Sequence, residues 1–295
     1  MKALLRFLLA AFLILICISL LGSVYRLFQS TDDRGFGDAN IAVIEVEGII
    51  TESMPFIEQI RDLQEQSSYQ AVVVRVNSPG GAVGSSQEIY MELKKLKAKL
   101  PVVVSMGDLA ASGGLYVSLG SNMIVALPGT LTGSMGVLLE LMNFRRLLEK
   151  VYLDPLTLKS GGLKDAGNPT APLDPKAKEF FQTLINKTFQ TFKDDVVRER
   201  KLKPEAAELL SDGRVVDGKE ALALGLVDEL GTFEDAVQAA MKLGKIEGKP
   251  KLAFVSRKPK SWAQRIFEEA SAPVLKWLDT KANSSMLNYR WEPFR

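Results

Sequence analysis

The chain has 295 residues, 46% of them hydrophobic, and its 37 basic and 35 acidic residues leave a net charge of +2. That is enough apolar material for a large buried core, without the concentrated basic footprint of a nucleic-acid binder. With no histidine and one cysteine, Cys17, the chain cannot build a Ser-His-Asp triad, a Cys-His pair, an HExxH or Cys-rich zinc site, or an intrachain disulfide.

The first element is an apolar run, FLLAAFLILICISLLGSVY, 19 uncharged residues from Phe7 to Tyr25 between Arg6 and Arg26. A helix of that length spans roughly 28 Å, about the thickness of a bilayer's hydrocarbon core. The run is longer than a usual cleavable signal core and no clear small-x-small site follows it, so residues 1–28 read as a retained transmembrane anchor. A lipoprotein site at Cys17 is disfavoured by bulky Ile16 before it. Basic residues near the two ends nearly balance, and the short leading segment favours an N-terminus inside. The expectation is a single-pass protein of the inner (cytoplasmic) membrane, with the bulk of the chain on the extracytoplasmic side.

Residues 29–40, QSTDDRGFGDAN, are polar and rich in Gly and Asp, as suits a linker. Four apolar or β-branched runs follow at 41–46, 71–76, 101–106 and 123–128. Between the second and third, Ile89, Leu93, Leu96 and Leu100 recur at steps of four, three and four, which predicts an amphipathic helix over 85–100. Further helices are expected at 175–200, 204–211, 217–225 and 233–243. Near-continuous Val/Ile strands alternating with helices define an α/β domain over 41–245 with a largely parallel sheet covered on both faces. Residues 246–295 are basic and punctuated by proline, a peripheral arm with a possible helix at 261–279.

Two glycine turns leave these strands. Asn77 to Val83, NSPGGAV, follows the run at 71–76, and AASGG, Ala110 to Gly114, follows the run at 101–106. Each puts backbone N–H groups at a strand-to-helix junction, where the helix dipole favours negative charge. Neither matches a phosphate-binding GxxxxGKS/T or GxGxxG pattern, whereas the oxyanion of an acyl-transfer intermediate needs the same donors. The plainer alternative is tight turns with Ser112 as a helix N-cap. As a nucleophile, Ser112 would need a base other than histidine, which leaves a neutral lysine. Such a lysine must be pulled from ~10.4 toward ~7–8 by an apolar setting. Lys159 and Lys164 in LTLKSGGLKDAG stand outside any amphipathic pattern, and spacing does not choose between them.

NSPGGAV, VSMGDLAASGGLYVS, PGTLTGSMGV, LKSGGLKDAG and SDGRVVDGKEALALGLVDELG together resemble the signal peptide peptidase A family, membrane-bound Ser-Lys peptidases of the ClpP/crotonase-like fold. The resemblance covers about residues 41 to 243 and implies a short, single-domain form. It makes Ser112 the nucleophile, Lys164 the general base, Gly81 and Gly113 the oxyanion hole, and Ser134 the hydroxyl that orients the lysine amine. It implies no metal or cofactor. It also implies signal peptide remnants and other apolar peptides as substrates, and a homo-oligomeric ring in which a neighbouring subunit can supply the lysine. Rival readings are crotonase-type acyl-CoA chemistry, which predicts a cytosolic chain and catalytic carboxylates, a membrane protease processing a stomatin-like partner, and an inactive membrane scaffold.

Overall fold

Three valine-rich strands form the centre of the sheet: β1 (Ile41–Glu47), β2 (Ala71–Ser78) and β4 (Val102–Ala111). Every residue of 41–44, 71–74 and 102–106 is buried. That double burial follows from runs with no polar alternation, which leave neither face fit for water. β1 pairs with β2, and β2 with β4, in parallel. The computed structural model describes residues 39–65, 68–255 and 288–290. The expected anchor at 7–25 and helix at 261–279 therefore lie outside the described residues, among which no helix is long and apolar enough to cross a membrane.

Along its length β4 serves two neighbours. Its first half pairs with β5 (Met123–Ala126) and its second half with β6 (Leu131–Gly133), both in parallel. Between Met106 and Ala110 the strand takes four steps where β2 takes two from Val76 to Ser78. This bulge turns the carboxyl end of β4 toward β6. Short β7 (Val215–Val216) is antiparallel to β6, β8 (Glu229–Leu230) extends the β5 branch, and β9 (Leu252–Phe254) lies parallel to β1 at the other edge. The order β7-β6-β4-β2-β1-β9, with β5 and β8 off β4, is the expected largely parallel sheet.

Helices cover both faces. α1 (Met54–Glu65) buries Phe56, Ile57, Ile60 and Leu63, and α2 (Val83–Leu96) buries Ile89, Tyr90, Leu93 and Leu96. α2 thus starts two residues before the expected 85 and stops at Leu96 instead of 100. Beyond α3 (Gly113–Ser118) and α4 (Arg145–Lys150), the long α5 (Pro175–Arg200), α6 (Pro204–Leu210), α7 (Gly218–Leu224) and α8 (Phe233–Gly244) lie within a residue of the expected bounds. α8 carries the other layer: Ala236, Val237 and Ala240 pack with Ile41, Val43, Ala71, Val73, Val103 and Val125. Its start is held by a capping box between Thr232 and Asp235.

A second, two-stranded sheet stands apart. β3 (Gly80–Ala82), the step between β2 and α2, pairs antiparallel with β10 (Asn288–Arg290).

Candidate active site

Ser112 is the hinge between β4 and α3, 1% exposed, with φ +54° and ψ −113°. A non-glycine residue in this backbone region is strained and persists only when its surroundings hold it. Two backbone bonds do so: Ser112 N–H donates to the Gly133 carbonyl at 2.8 Å, and its own carbonyl accepts from Tyr116 N–H at 2.9 Å. The alternative of Ser112 as an N-cap is met in position only, because its hydroxyl makes no capping hydrogen bond.

Ser134 is its counterpart on the next strand. Parallel register sets Ala111 beside Gly133, so Ser112 and Ser134 leave adjacent strand ends, about 5 Å apart across the ladder. Ser134 too has a positive φ, +51°, and its N–H donates to the Arg214 carbonyl at 2.7 Å.

The two glycines meet at the same place. A Cβ on Gly113 would lie 2.6 Å from Ser86 Oγ, 3.0 Å from Gly80 Cα and 3.1 Å from Gly81 N. The Gly113 backbone therefore lies close to the Gly80–Gly81 backbone beside the serine, an approach open only to a residue without a side chain at position 113. Gly81 has its own constraint, since a Cβ there would fall 2.0 Å from the Ile50 carbonyl oxygen. Ser78 supports this corner by accepting from Gly80 N–H at 3.0 Å and donating to the Gly48 carbonyl at 2.6 Å. Backbone N–H groups close to a buried, strained hydroxyl are of the kind that can stabilise a developing oxyanion.

The two lysines differ. Lys159 is ion-paired with Asp165, and that hydrogen bond lowers the Asp165 carboxyl below its ordinary range. Lys164 is exposed on the loop before α5, anchored through its N–H to the Gly161 carbonyl at 3.1 Å. No hydrogen bond or ion pair joins its side chain to Ser112 or Ser134 among the described residues. The structure thus brings Ser112, Gly113, Gly81 and Ser134 together and leaves Lys164 outside. Around the loop, large apolar side chains face solvent: Tyr152 is 96%, Leu156 85% and Leu158 87% exposed.

A buried polar cluster behind the site was not singled out from sequence. Tyr116 of α3 lies edge-on to Tyr90 of α2, ring centroids 5.3 Å apart, and donates to Asp195 of α5. Tyr90 donates to Glu199, also of α5, at 2.8 Å, and Arg198 donates to Tyr90 at 3.1 Å. Burial pushes the Tyr90 hydroxyl up, and Glu199 presses on it from the same direction. For Glu199, burial acts to raise the carboxyl, but hydrogen bonds from Lys94 and Tyr90 and the nearby charge of Lys97 outweigh it and hold it near about 2. The only sequence signal was Tyr90 on the buried face of α2, since Asp195 and Glu199 sit in an ordinary charged run. Among the described residues no group of histidine, cysteine and carboxylate side chains could hold a metal ion.

A ClpP-like sheet with a strained, buried serine beside two glycine turns suits a serine peptidase, and the chain belongs to peptidase family S49, whose model matches residues 94–247; the Clp protease model matches residues 40–131. Within that family it is similar to the putative signal peptide peptidase SppA of Enterococcus faecium, 33% identical over 74% of this chain and 67% of the relative. It is also 42% identical to a putative protease of Synechocystis over 70% of this chain and 75% of that one, and 33% identical to a putative protease of Methanocaldococcus jannaschii over 79% and 81%. These relatives set the chain among the signal peptide peptidase A peptidases. Among solved structures it is similar to the 1510-N membrane-bound stomatin-specific protease in complex with a substrate peptide, with 17% identity, TM-score 0.44, and coverage of 80% and 100%.

Proposed function

We propose that the chain is a membrane-anchored endopeptidase that degrades apolar peptides, signal peptide remnants foremost, through a Ser112–Lys164 dyad. The observation that carries this reading is the close approach of the Gly113 and Gly80–Gly81 backbones beside strained, buried Ser112. In the reaction, the neutral Lys164 amine takes the Ser112 hydroxyl proton as Oγ attacks the peptide carbonyl. The carbonyl oxygen becomes an oxyanion held by the Gly81 and Gly113 N–H groups. The lysine ammonium then gives its proton to the leaving amine, the C–N bond breaks, and water releases the acyl half by the same steps. Ser134 accepts a hydrogen bond from the lysine and fixes its orientation.

Lys164 reaches a serine in the assembled oligomer, where the exposed apolar arm around Tyr152, Leu156 and Leu158 is covered by a second copy of the chain. Large apolar side chains exposed this close together in the chain mark an interaction site, and covering them takes Lys164 out of water, as a neutral lysine base requires. The anchor at Phe7–Tyr25 holds the ring at the inner membrane with its catalytic domain on the extracytoplasmic side, where signal peptide remnants lie.

The test uses a purified signal peptide and a short soluble apolar peptide. Ser112→Ala and Lys164→Ala should each lose nearly all cleavage with the oligomer intact, and mixing the two inactive variants should restore part of it, because one supplies serine and the other lysine. Near-normal turnover in Ser112→Ala would overturn the nucleophile assignment. Failure of the mixture would place the lysine in the same chain as its serine.

A further inference from the structure

β4 changes register against β2 just before it reaches Ser112. Val72 lies opposite Val102 and Val76 opposite Met106, but Ser78 lies opposite Ala110. An unbroken ladder would carry Ser78 to Asp108 and Gly81 to Ala111. The two extra residues of β4 shift every later pairing, and the same offset, continued past the strand ends, brings Gly113 level with Gly81. There a Cβ on Gly113 would come within 3.0 Å of Gly80 Cα and 3.1 Å of Gly81 N. The bulge thus decides which residues of the two glycine turns meet, and bulges beside active sites re-aim a side chain in this way.

Backbone groups that leave a ladder need other partners, and side chains on both neighbours of the bulge supply them. From β2, Asn77 Oδ1 accepts from Leu109 N–H at 3.2 Å. A Cβ on Gly107 would lie 3.1 Å from Asn77 Cβ, Cγ and Oδ1, so the bulge backbone runs directly against this side chain. Asn77 is itself fixed, its carbonyl accepting from Gly48 N–H at 3.0 Å. From the turn before β6, the buried Thr130 hydroxyl donates to the Gly107 carbonyl at 2.7 Å and accepts from Leu127 N–H at 3.0 Å. Resting on the peptidase reading above, we propose that Asn77 and Thr130 are positioning residues: they pin the bulge of β4 and so set the register at which Ser112 and Gly113 stand beside Gly81. Neither touches the reacting atoms in the proposed reaction. Each acts through the backbone that carries the nucleophile and its oxyanion donors, where a displacement of about 1 Å costs on the order of 100-fold in rate.

The test measures kcat and KM on a soluble apolar peptide, with melting curves, for full-length Asn77→Ala, Asn77→Asp, Thr130→Val and Thr130→Ser. Aspartate keeps an acceptor for Leu109 N–H and serine keeps a hydroxyl for the Gly107 carbonyl, whereas alanine and valine remove them. Asn77→Ala and Thr130→Val should each lose roughly tenfold or more in kcat with KM unchanged, and Asn77→Asp and Thr130→Ser should recover most of it. Val103→Ala, in the unbulged half of β4 and fully buried, serves as the control, which should lower Tm and leave kcat as it was. Wild-type kcat in Asn77→Ala, a loss carried by KM, an Asn77→Asp as slow as Asn77→Ala, or an equal kcat loss in Val103→Ala overturns the proposal. Amide hydrogen exchange gives a readout that needs no turnover. Residues 107–113 should exchange about tenfold faster in Asn77→Ala than in wild type or Asn77→Asp, with 102–106 unchanged. Equal exchange over 107–113 in all three overturns the pinning. If no form of the chain cleaves peptide, the peptidase reading falls, and the exchange comparison alone still decides whether Asn77 holds the bulge.

Discussion

Replacing Gly113 by alanine puts a methyl group into the narrowest part of the site. The new carbon would sit 2.6 Å from Ser86 Oγ, 3.0 Å from Gly80 Cα and 3.1 Å from Gly81 N, against a comfortable carbon separation of about 3.5–4.0 Å. The Ser86 hydroxyl can turn away, giving up its 2.9 Å bond to the Ala82 carbonyl at a cost of about 1 kcal/mol. The two backbone contacts have no such escape, so β3 must move off α3 by several tenths of an ångström. Overpacking of this kind costs about 1–3 kcal/mol, and each kcal/mol lowers Tm by roughly 2–4 °C in a domain this large. Moving the Gly81 amide off the oxyanion should cut kcat about 100-fold. The assay pairs kcat and KM on a soluble apolar peptide with a melting curve for Gly113→Ala and for Ser86→Ala/Gly113→Ala. The double variant should regain part of the lost Tm, because the clashing hydroxyl is gone, and stay slow, because the backbone contacts remain. A double variant with wild-type kcat would refute the reasoning.

Lys164→Ala should lose nearly all activity and Lys159→Ala little, since Lys159 is committed to Asp165; the reverse, read from kcat, would move the base by five residues. Charged replacements of exposed Leu156 and Leu158 should split the proposed oligomer in sedimentation and abolish cleavage while leaving the melting curve of the single chain unchanged. Glu199, held near about 2 against an ordinary 4.5, contributes stability that is fully present above pH 4.5 and is lost as pH falls toward 2. The whole shift corresponds to about 3 kcal/mol, reduced to about 1–2 because the Lys94 side chain is 44% exposed. Glu199→Gln should thus be less stable than wild type near neutrality in urea unfolding, by a gap that closes between pH 4.5 and 2; a constant gap would assign the effect to packing.

What could be read from the sequence was what repeats. Val72, Val73 and Val74 announce a strand buried on both faces, and Ile89, Leu93 and Leu96 announce a helix, because burial imposes a period. α1 carried the same signal in Phe56, Ile57, Ile60 and Leu63, all buried, but its charged residues masked it in a region read without elements. β3, β7 and β8 have two or three residues each, too few for any period. They exist because neighbouring strands offer unpaired edges. Gly81, Gly113 and Ser112 were legible as motif positions, yet their close approach depends on β2 and β4 being adjacent. The setting of Lys164 had no local signal, because the surfaces that would bury it are not part of its own sequence neighbourhood.

The first strand of the sheet is also the last to be completed. Asn40 and Lys251, 211 positions apart, are joined by hydrogen bonds of 2.9 and 3.0 Å, and the face of β1 formed by Ile41 and Val43 is covered by α8. During synthesis β1 emerges early, but its outer edge and one apolar face stay bare until residues 233–254 follow. Contacts of such long range are slow to form, and an open strand edge invites wrong partners meanwhile. A nascent chain that stops after Gly231 holds Ser112, Gly113, Gly81, Ser134 and Lys164 but lacks α8 and β9, which cover one face and the outer edge of β1. Every residue proposed for the site is thus translated before the helix and strand that cover the first strand of the sheet.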